Sequence, residues 1–340
     1  MKAIVYSTTG PSSVLTLEER DVASPGPGEV RVRVVVSGVN PTDWKARAAG
    51  NLAFPEVVPN QDGAGTIDAV GEGVSDLQPG DRVWIYLAAH GRPTGTAQEL
   101  TILPADRAVK LPEGIGFDVA ASLGVPAMTA HRALTVHEEG PTRLAPGALA
   151  GRTVLVQGGA GAVGHAAIQL AVWAGATVIA TVSSDAKAEL ARAAGAQHIV
   201  RYPDDAEADR IREIAPDGVH QIVEVSPAQN AALDVDVIAN HGSIAYYANN
   251  NGEEFTAPIV ASFAKNVRWQ GVLIYTVGEA AQHAAAEDIT AALRDGVLPV
   301  GESAGLPLTW FPLEETAAAH DAVENGTTGK ILIRVAEENA

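Results

Sequence analysis

The chain has 340 residues, which is enough for two domains of about 150 residues each. Hydrophobic residues make up 46% and charged residues 19%, a composition that excludes an intrinsically disordered chain. The formal net charge of −18 repels phosphate backbones and anionic lipids, so nucleic acid and membrane surfaces are not expected partners.

The chain contains no cysteine. Disulfides, thiolate nucleophiles and zinc sites with cysteine ligands are therefore excluded together. The first residues reach polar positions too soon to supply the apolar region of a signal peptide. We therefore expect a cytoplasmic protein.

The first 125 residues are predicted to form short strands separated by turns. Glycine and proline cluster at residues 24–28 and 78–81, as is typical of turns that connect strands. Short, evenly spaced strands of this kind favour a compact, β-rich barrel. The expected strands are residues 2–6, 29–36, 65–70, 82–87 and 98–103.

From about residue 126 the pattern changes to an alternation of strands and helices. This alternation predicts an α/β fold with a doubly wound parallel sheet that is covered by helices on both faces. The expected strands are residues 153–156, 177–182, 199–202, 221–225 and 243–247. The expected helices are residues 128–136, 162–174, 186–194, 206–214 and 230–239.

The chain after residue 264 is expected to return to the first domain. It adds a strand, helices at 280–295 and 313–325, and a closing strand at 330–335. The predicted organisation is one domain from residues 1–125 and 264–340, and a second from residues 126–263.

Residues 153–184 contain no Asp, Glu, Lys or Arg, and they are long enough to span a membrane. They also contain five glycines, and their pattern changes from strand to helix and back to strand. A buried β-α-β unit explains this segment better than a membrane span.

The most informative stretch is the glycine turn inside this unit. Gly158, Gly161 and Gly164 are spaced as in a dinucleotide-binding fingerprint, between a β-branched strand and an alanine-rich helix. Glycine permits a tight turn and a close backbone approach, while the amide groups at the helix start hold phosphates. The turn predicts a nicotinamide dinucleotide site, and a purely structural glycine turn is the alternative.

The end of the next strand favours NADPH over NADH. NADH sites usually carry a carboxylate there for the ribose 2′-hydroxyl, whereas this strand ends in Ser183 and Ser184, with Lys187 beyond. Hydroxyl groups and a lysine suit a 2′-phosphate. Asp185 is the opposing observation, and we expect it to cap the following helix.

These features resemble a zinc-free medium-chain dehydrogenase/reductase, specifically the quinone oxidoreductase (zeta-crystallin-like) family. The resemblance covers nearly the whole chain. Its motifs are the glycine turn and residues 38–43, 62–65, 80–83, 124–130 and 328–330.

The resemblance implies a GroES-like, β-rich catalytic domain, a Rossmann domain, NADPH bound between them, and a homodimer or homotetramer. In the zinc-dependent relatives a cysteine ligand occupies the position of Asn40, and a histidine ligand occupies that of Gln61. Because amides are poor zinc ligands, no catalytic metal is expected, and simple alcohol dehydrogenase activity is disfavoured.

The resemblance also implies the residues of the cofactor site. Ala160, Gly161, Ala162 and Val163 are expected at the pyrophosphate. Ser183, Lys187 and Tyr202 are expected at the 2′-phosphate. Thr129, Asn230, Tyr246, Tyr247, Ala248, Asn249, Val272, Leu273 and Ile274 complete the set, with Thr129 at the carboxamide and residues 272–274 near the nicotinamide. A packing role for Tyr202 and a solvated position for Lys187 are the structural alternatives.

The substrate-facing wall departs from the family pattern. Many members carry a tyrosine five residues after the asparagine, where this chain has Lys45 beside Trp44. The candidate catalytic residues are Asn40, to orient the nicotinamide or the substrate carbonyl, Lys45, to donate to a developing oxyanion, and Trp44, mainly as a pocket wall.

We predict an NADPH-dependent, metal-free reductase of a small-molecule quinone or conjugated enone. A 2-enoyl thioester reductase of the same superfamily is the alternative among enzymes, and the missing tyrosine counts against it. An NADPH-binding protein with little turnover is the alternative of another class. Hydride transfer is chemistry that the cofactor brings, while the protein supplies position and a dry site.

Overall fold

The computed structural model describes residues 1–48, 50, 52–202 and 206–338. The chain divides into two compact units. The first unit comprises Met1–Val125 and Leu308–Ala340, and the second comprises Pro126–Pro307.

The strands and α-helices are numbered along the chain. The strands are β1 (Lys2–Val5), β2 (Thr16–Glu19), β3 (Glu29–Val39), β4 (Asp62–Val70), β5 (Arg82–Ile85), β6 (Leu100–Pro104), β7 (Ala108–Lys110), β8 (Thr153–Val156), β9 (Thr177–Val182), β10 (His198–Arg201), β11 (Val219–Glu224), β12 (Ile238–Tyr246), β13 (Arg268–Gly271), β14 (Leu308–Pro312) and β15 (Lys330–Arg334). The helices are α1 (Pro41–Ala48), α2 (Phe117–Ala120), α3 (Gly124–Leu134), α4 (Ala162–Trp173), α5 (Asp185–Ala193), α6 (Glu207–Ile214), α7 (Pro227–Val237), α8 (Ile259–Ala264), α9 (Glu279–Arg294) and α10 (Thr316–Glu324). Among the described residues, no helix is long and apolar enough to cross a membrane.

The first unit is built on a seven-stranded sheet in which β15, β3, β4 and β5 are neighbours. Strand β3 runs antiparallel to both β15 and β4, so the end of β3 lies beside the starts of the other two. Gly38 pairs with Asp62 on one side and with Leu332 on the other. The pairing therefore gathers the residues that flank these three strand ends at one end of the sheet.

The second unit is built on a six-stranded parallel sheet with the order β10-β9-β8-β11-β12-β13. Its strands are rich in β-branched residues that are buried, as parallel strands covered on both faces require. The chain moves outward in one direction from β8 and in the other from β11, so the order reverses between these two strands. The expected α/β class and doubly wound parallel sheet are thus confirmed.

The return to the first unit comes later in the chain than expected. We expected residues from 264 onward in the first domain, but the first unit resumes only at Leu308. The reason is that β13 pairs in parallel with β12 and extends the parallel sheet by one strand. Helix α9 also lies in the second unit.

Several short elements were not predicted. Strand β2 is exposed along its whole length, so its sequence lacks the alternation that marks a half-buried strand. Helix α1 has eight residues, of which four are polar or charged and only two are buried. Such elements depend on tertiary contacts rather than on their own pattern.

Candidate nucleotide and substrate sites

Several of the cofactor residues expected in the second unit follow the carboxyl ends of its strands. Ser183 follows β9, Tyr202 follows β10 and Tyr247 follows β12. Because the six strands are parallel, their carboxyl ends meet at one edge. Ligands of such sheets bind where the strand order reverses, which here is between β8 and β11.

The glycine turn between β8 and α4 has the geometry of a phosphate cradle. Gly158 has a φ of 71°, in the left-handed region that favours glycine. A Cβ on Gly164 would lie 2.4 Å from the carbonyl oxygen of Gly158, so this glycine lets α4 pack directly on the turn. Gly161 is the N-cap of α4 and is exposed, and a Cβ there would meet nothing closer than 3.5 Å. The turn therefore fits the pyrophosphate of a dinucleotide at the helix N-terminus.

The expected pyrophosphate contacts all belong to this turn and the first residues of α4. Ala160 is buried, whereas the side chains that follow Gly161 are partly exposed. These four residues are Ala160, Gly161, Ala162 and Val163.

The expected role of Asp185 as a helix cap was wrong. The N-cap of α5 is Ser184, whose hydroxyl oxygen accepts a hydrogen bond of 3.3 Å from the backbone N–H of Lys187. Asp185 is the first helical residue, and its carboxylate accepts a hydrogen bond of 2.7 Å from Nη1 of Arg201. The one carboxylate that opposed a 2′-phosphate here is therefore paired with a cation.

The expected 2′-phosphate residues occupy neighbouring strand ends. Ser183 follows β9 and is partly exposed, and Tyr202 follows the adjacent strand β10 with 48% of its surface exposed. Lys187 lies in the first turn of α5. Arg201, the last residue of β10, adds a second cation that sequence reasoning missed, since nothing in the sequence places it beside Asp185.

Asn230 is held by a carboxylate beside the point of strand reversal. Its amide nitrogen donates to both carboxylate oxygens of Glu224, at 3.1 and 3.2 Å. Glu224 is the last residue of β11 and is fully buried. The amide is thus oriented before any ligand binds.

The other expected cofactor residues lie around the last two strands and on α3. Val272 and Ile274 are buried just after β13, while Leu273 between them is 54% exposed. Thr129 is buried within α3. The segment that ends β12 and follows it becomes progressively more exposed and comprises Tyr246, Tyr247, Ala248 and Asn249.

In the first unit, Asn40 belongs to a buried polar cluster that consists of Asn40, Asp43, Asp62 and Lys330. The Asn40 amide nitrogen donates to Asp62 at 2.6 Å, and its oxygen accepts from the Lys330 ammonium at 2.7 Å. Lys330 also lies 3.5 Å from the Asp62 carboxylate. Asp43 accepts from the backbone N–H groups of Asn40 and Gln61, at 2.7 and 3.2 Å. Both ends of the Asn40 amide are therefore already engaged.

Burial shifts the titration of every charged group in this cluster. Burial raises the pKa of Asp43 to about 8, helped by the negative charge of Asp62. Burial also raises the pKa of Asp62, which the Lys330 ammonium opposes. Burial lowers the pKa of Lys330, and the two carboxyl groups oppose that shift. The cluster holds one cation against two carboxyl groups, so its charges balance when one of the two carboxyl groups is protonated.

Trp44 and Lys45 lie on α1, immediately after the buried cluster. Both are partly exposed, and the Lys45 ammonium lies 5.9 Å from the centre of the Trp44 ring. Gln61, at the second position where zinc-dependent relatives have a ligand, accepts with its amide oxygen from the backbone N–H of Ala89 at 3.1 Å. Within the described ranges, no three acidic or histidine side chains converge as metal ligands.

Asp62 and Lys330 belong to motifs that are evident in the sequence, but no role for either was predicted. Their contact joins residues that are far apart in the chain, and only the pairing of β15, β3 and β4 reveals it. The buried polar residues Gln157, Thr181 and Asp234, which lie behind the glycine turn, were also missed. Isolated residues of these types give no periodic signal in a sequence.

Comparisons with known proteins agree with this arrangement. The family described as alcohol dehydrogenase GroES-like domain matches residues 26–113, and that described as zinc-binding dehydrogenase matches residues 162–291. The chain is 32% identical to a quinone oxidoreductase of Lama guanicoe, over 98% of this chain and 97% of that protein. It is also 32% identical to a 2-haloacrylate reductase of a Burkholderia species, over 74% of each chain.

Solved structures of similar fold match nearly the whole chain. An NAD-dependent alcohol dehydrogenase matches with a TM-score of 0.86 and 28% identity, over 99% of this chain and 100% of that one. A mycobacterial protein in complex with NADPH matches with a TM-score of 0.80 and 28% identity, over 98% of this chain and 100% of that one.

The buried cluster predicts that Lys330 stabilises the first unit. We expect Lys330→Met to lower the free energy of unfolding by about 3–5 kcal/mol, because it leaves two buried carboxyl groups without their cation. Lys110→Met is the matched control, since Lys110 is exposed and pairs with Asp81 at the surface, and its loss is expected to cost less than about 1 kcal/mol. Urea unfolding measures both. Equal stability of the two variants would contradict this role of Lys330.

Proposed function

The chain belongs to the quinone oxidoreductase family of medium-chain dehydrogenases/reductases, and from that premise we propose that it is an NADPH-dependent, metal-free reductase of a quinone or a conjugated enone. The observation that carries the proposal is the open glycine turn at the helix N-terminus, with Ser183 and Tyr202 just after the adjoining strands and Lys187 in the first turn of α5. The names of the relatives, a quinone oxidoreductase and a 2-haloacrylate reductase, agree with an electron-poor conjugated acceptor.

The preference for NADPH rests on local charge. Lys187 is a cation in the first turn of α5, Arg201 is a cation at the end of β10, and Asp185 is already paired with Arg201. Among the described residues, a 2′-phosphate therefore meets hydroxyl groups and positive charge, while the Asp185 carboxylate is paired. The mycobacterial protein of similar fold binds NADPH, whereas the alcohol dehydrogenase of similar fold is NAD-dependent. Because the fold does not distinguish the two cofactors, we base the preference for NADPH on the residues expected at the 2′-phosphate.

The proposal that no metal takes part rests on the donor groups. Asn40 offers an amide whose oxygen is held by Lys330 and whose nitrogen donates to Asp62. The amide oxygen of Gln61 is likewise engaged by a backbone N–H group. The Lys330 ammonium beside these groups repels a divalent cation, and neutral amides are poor zinc ligands.

The roles proposed for α1 follow from its position after the buried cluster. Bound NADPH supplies the hydride. Lys45 donates a hydrogen bond to the substrate oxygen as negative charge develops there, and Trp44 forms an apolar wall. Asn40 orients the nicotinamide or the carbonyl through the remaining hydrogen of its amide nitrogen, while Asp62 and Lys330 fix the plane of that amide.

The activity test is the oxidation of NADPH, in the presence of a metal chelator, with a panel of acceptors. The panel contains a para-quinone, an ortho-quinone, a short enone and a crotonyl thioester, each repeated with NADH. We expect chelator-insensitive turnover of a quinone or the enone, with NADPH preferred. Turnover of the thioester alone would identify a 2-enoyl thioester reductase. Tight NADPH binding without turnover of any acceptor would identify a binding protein.

The 2′-phosphate site predicts a selective effect of Lys187→Ala. We expect NADPH to bind about 10-fold more weakly, because one charge-assisted contact is lost, and NADH to bind as it does to the wild type. Calorimetric titration with both cofactors measures this. Arg192→Ala is the matched control, since Arg192 lies on the same helix and pairs with Glu189. An equal loss of affinity for both cofactors would remove Lys187 from the 2′-phosphate site.

We also propose that the protein is a homodimer or homotetramer that assembles through α8. Ile259, Val260 and Phe263 on this helix are 77%, 70% and 64% exposed, and β13, which follows α8 in the chain, ends the parallel sheet. Neighbouring apolar side chains of this size are typical of an interface.

The interface predicts that Phe263→Glu gives monomers, because a charge would have to be buried there. Light scattering coupled to size-exclusion chromatography measures the mass of the particle. Leu17→Glu is the matched control, since Leu17 is an exposed apolar residue of the first unit, and its assembly is expected to be unchanged. A wild-type protein that is monomeric at every concentration would overturn the proposal.

A further inference from the structure

Behind the glycine turn lies a second buried polar cluster, which the proposed reaction does not use directly. It consists of Gln157, Thr181, Glu224 and Asp234, each no more than 1% exposed. Gln157 directly follows β8, and the other three lie in β9, β11 and α7, so the cluster joins elements on both sides of the strand reversal. Buried polar groups without water need partners within the protein, and each hydrogen bond here has a definite direction.

The first part of the cluster leads from the glycine turn to Asp234. The backbone N–H of Gly158 donates to Oγ1 of Thr181 at 3.3 Å. The Thr181 hydroxyl gives its own hydrogen to Oε1 of Gln157 at 2.5 Å. The amide nitrogen of Gln157 donates to Oδ1 of Asp234 at 3.0 Å. The Thr181 hydroxyl has a single hydrogen, which it donates to Gln157. Its oxygen therefore accepts the hydrogen bond from the backbone N–H of Gly158 through a lone pair.

The second part of the cluster joins Asp234 to Glu224. Glu224 accepts hydrogen bonds from the backbone N–H of Ser226 and from the amide of Asn230. The second oxygen of Asp234, Oδ2, is buried and receives no donor from the described residues. Two adjoining buried carboxyl groups cannot both be ionised.

A single proton removes the repulsion between the carboxyl groups of Asp234 and Glu224. The hydrogen bonds that each group already makes indicate which of the two carries it. Glu224 already accepts from Ser226 and Asn230, so it is the better carboxylate, and Asp234 is the better acid. Burial, the charge of Glu224 and a hydrogen bond between the two groups raise the pKa of Asp234. Glu207 adds further negative potential from α6. Because Oδ1 of Asp234 accepts from Gln157, we assign the proton to Oδ2, the buried oxygen that accepts no hydrogen bond from the described residues, for donation to Glu224.

We propose that Asp234, as a neutral carboxylic acid, is a positioning residue for the nucleotide site. Through Gln157 and Thr181 it fixes the Gly158 amide at the start of the phosphate turn. Through Glu224 it fixes Asn230 on the other side of the strand reversal. One shared proton therefore orients groups on both sides of the strand reversal, the Gly158 amide and the Asn230 side chain. This inference rests on the proposed binding of NADPH.

The test compares NADPH affinity, measured by calorimetry, in three variants. Thr181→Val keeps the shape of the side chain but removes the hydroxyl bridge, and we expect about 10-fold weaker binding. Asp234→Leu removes both hydrogen bonds of the acid, and a loss at least as large is expected. Asp234→Asn reproduces them, with an oxygen for Gln157 and an N–H for Glu224, so binding close to that of the wild type is expected.

Thr290→Val is the matched control in the same unit. The Thr290 hydroxyl is buried and donates to the backbone oxygen of Ala286 within α9, so its removal is expected to leave NADPH affinity unchanged. Thermal unfolding of each variant verifies that the folded fraction is the same. If Asp234→Leu does not fold, the comparison of Thr181→Val with Asp234→Asn still decides the matter.

The outcomes separate this inference from the proposed function. A wild-type protein that does not bind NADPH would overturn the proposed cofactor itself. Wild-type binding together with undiminished binding by Thr181→Val would overturn the positioning role alone. Binding by Asp234→Asn that is as weak as that of Asp234→Leu would show that an ionised carboxylate is required, and would overturn the neutral acid.

Discussion

A charged side chain that is buried away from water needs a partner inside the protein, and this constraint organises the candidate site in each unit. In the first unit the Lys330 ammonium is buried with Asp62 and the Asn40 amide. In the second, Glu224 is buried with Asp234 behind the glycine turn. A buried charge tolerates few alternative arrangements, because breaking one pair costs several kcal/mol. Each cluster therefore fixes the backbone around it more firmly than apolar packing alone would.

Both clusters lie where strands end and loops begin. Strand pairing brings the end of β3 beside the starts of β4 and β15, and parallel pairing gathers the carboxyl ends of β8 and β11. Loops at such places are otherwise free to vary. The clusters turn them into rigid supports, one for α1 and one for the phosphate turn. Precision at a binding site requires such support behind the residues that touch the ligand.

The sequence was informative where the signal is local. The alternation of strands and helices predicted the parallel sheet, and the spacing of Gly158, Gly161 and Gly164 predicted a turn that the structure shows open at the helix start. The boundary at Leu308 could not be predicted, because the pairing of β13 with β12 is a tertiary contact. The contact of Lys330 with Asp62 and that of Gln157 with Asp234 were hidden for the same reason.

The buried and the partly exposed residues around Asn40 differ in what a substitution would disturb. Asn40 is held by Asp62 and Lys330, so a substitution there disturbs a buried charge balance. Trp44 and Lys45 follow it on α1 and are partly exposed, with the Lys45 ammonium 5.9 Å from the centre of the Trp44 ring. Under the proposed function, substitutions at these two positions change the shape and charge offered to the substrate. The departure of this chain from the family pattern falls at Lys45, among the partly exposed residues of this region rather than the buried ones.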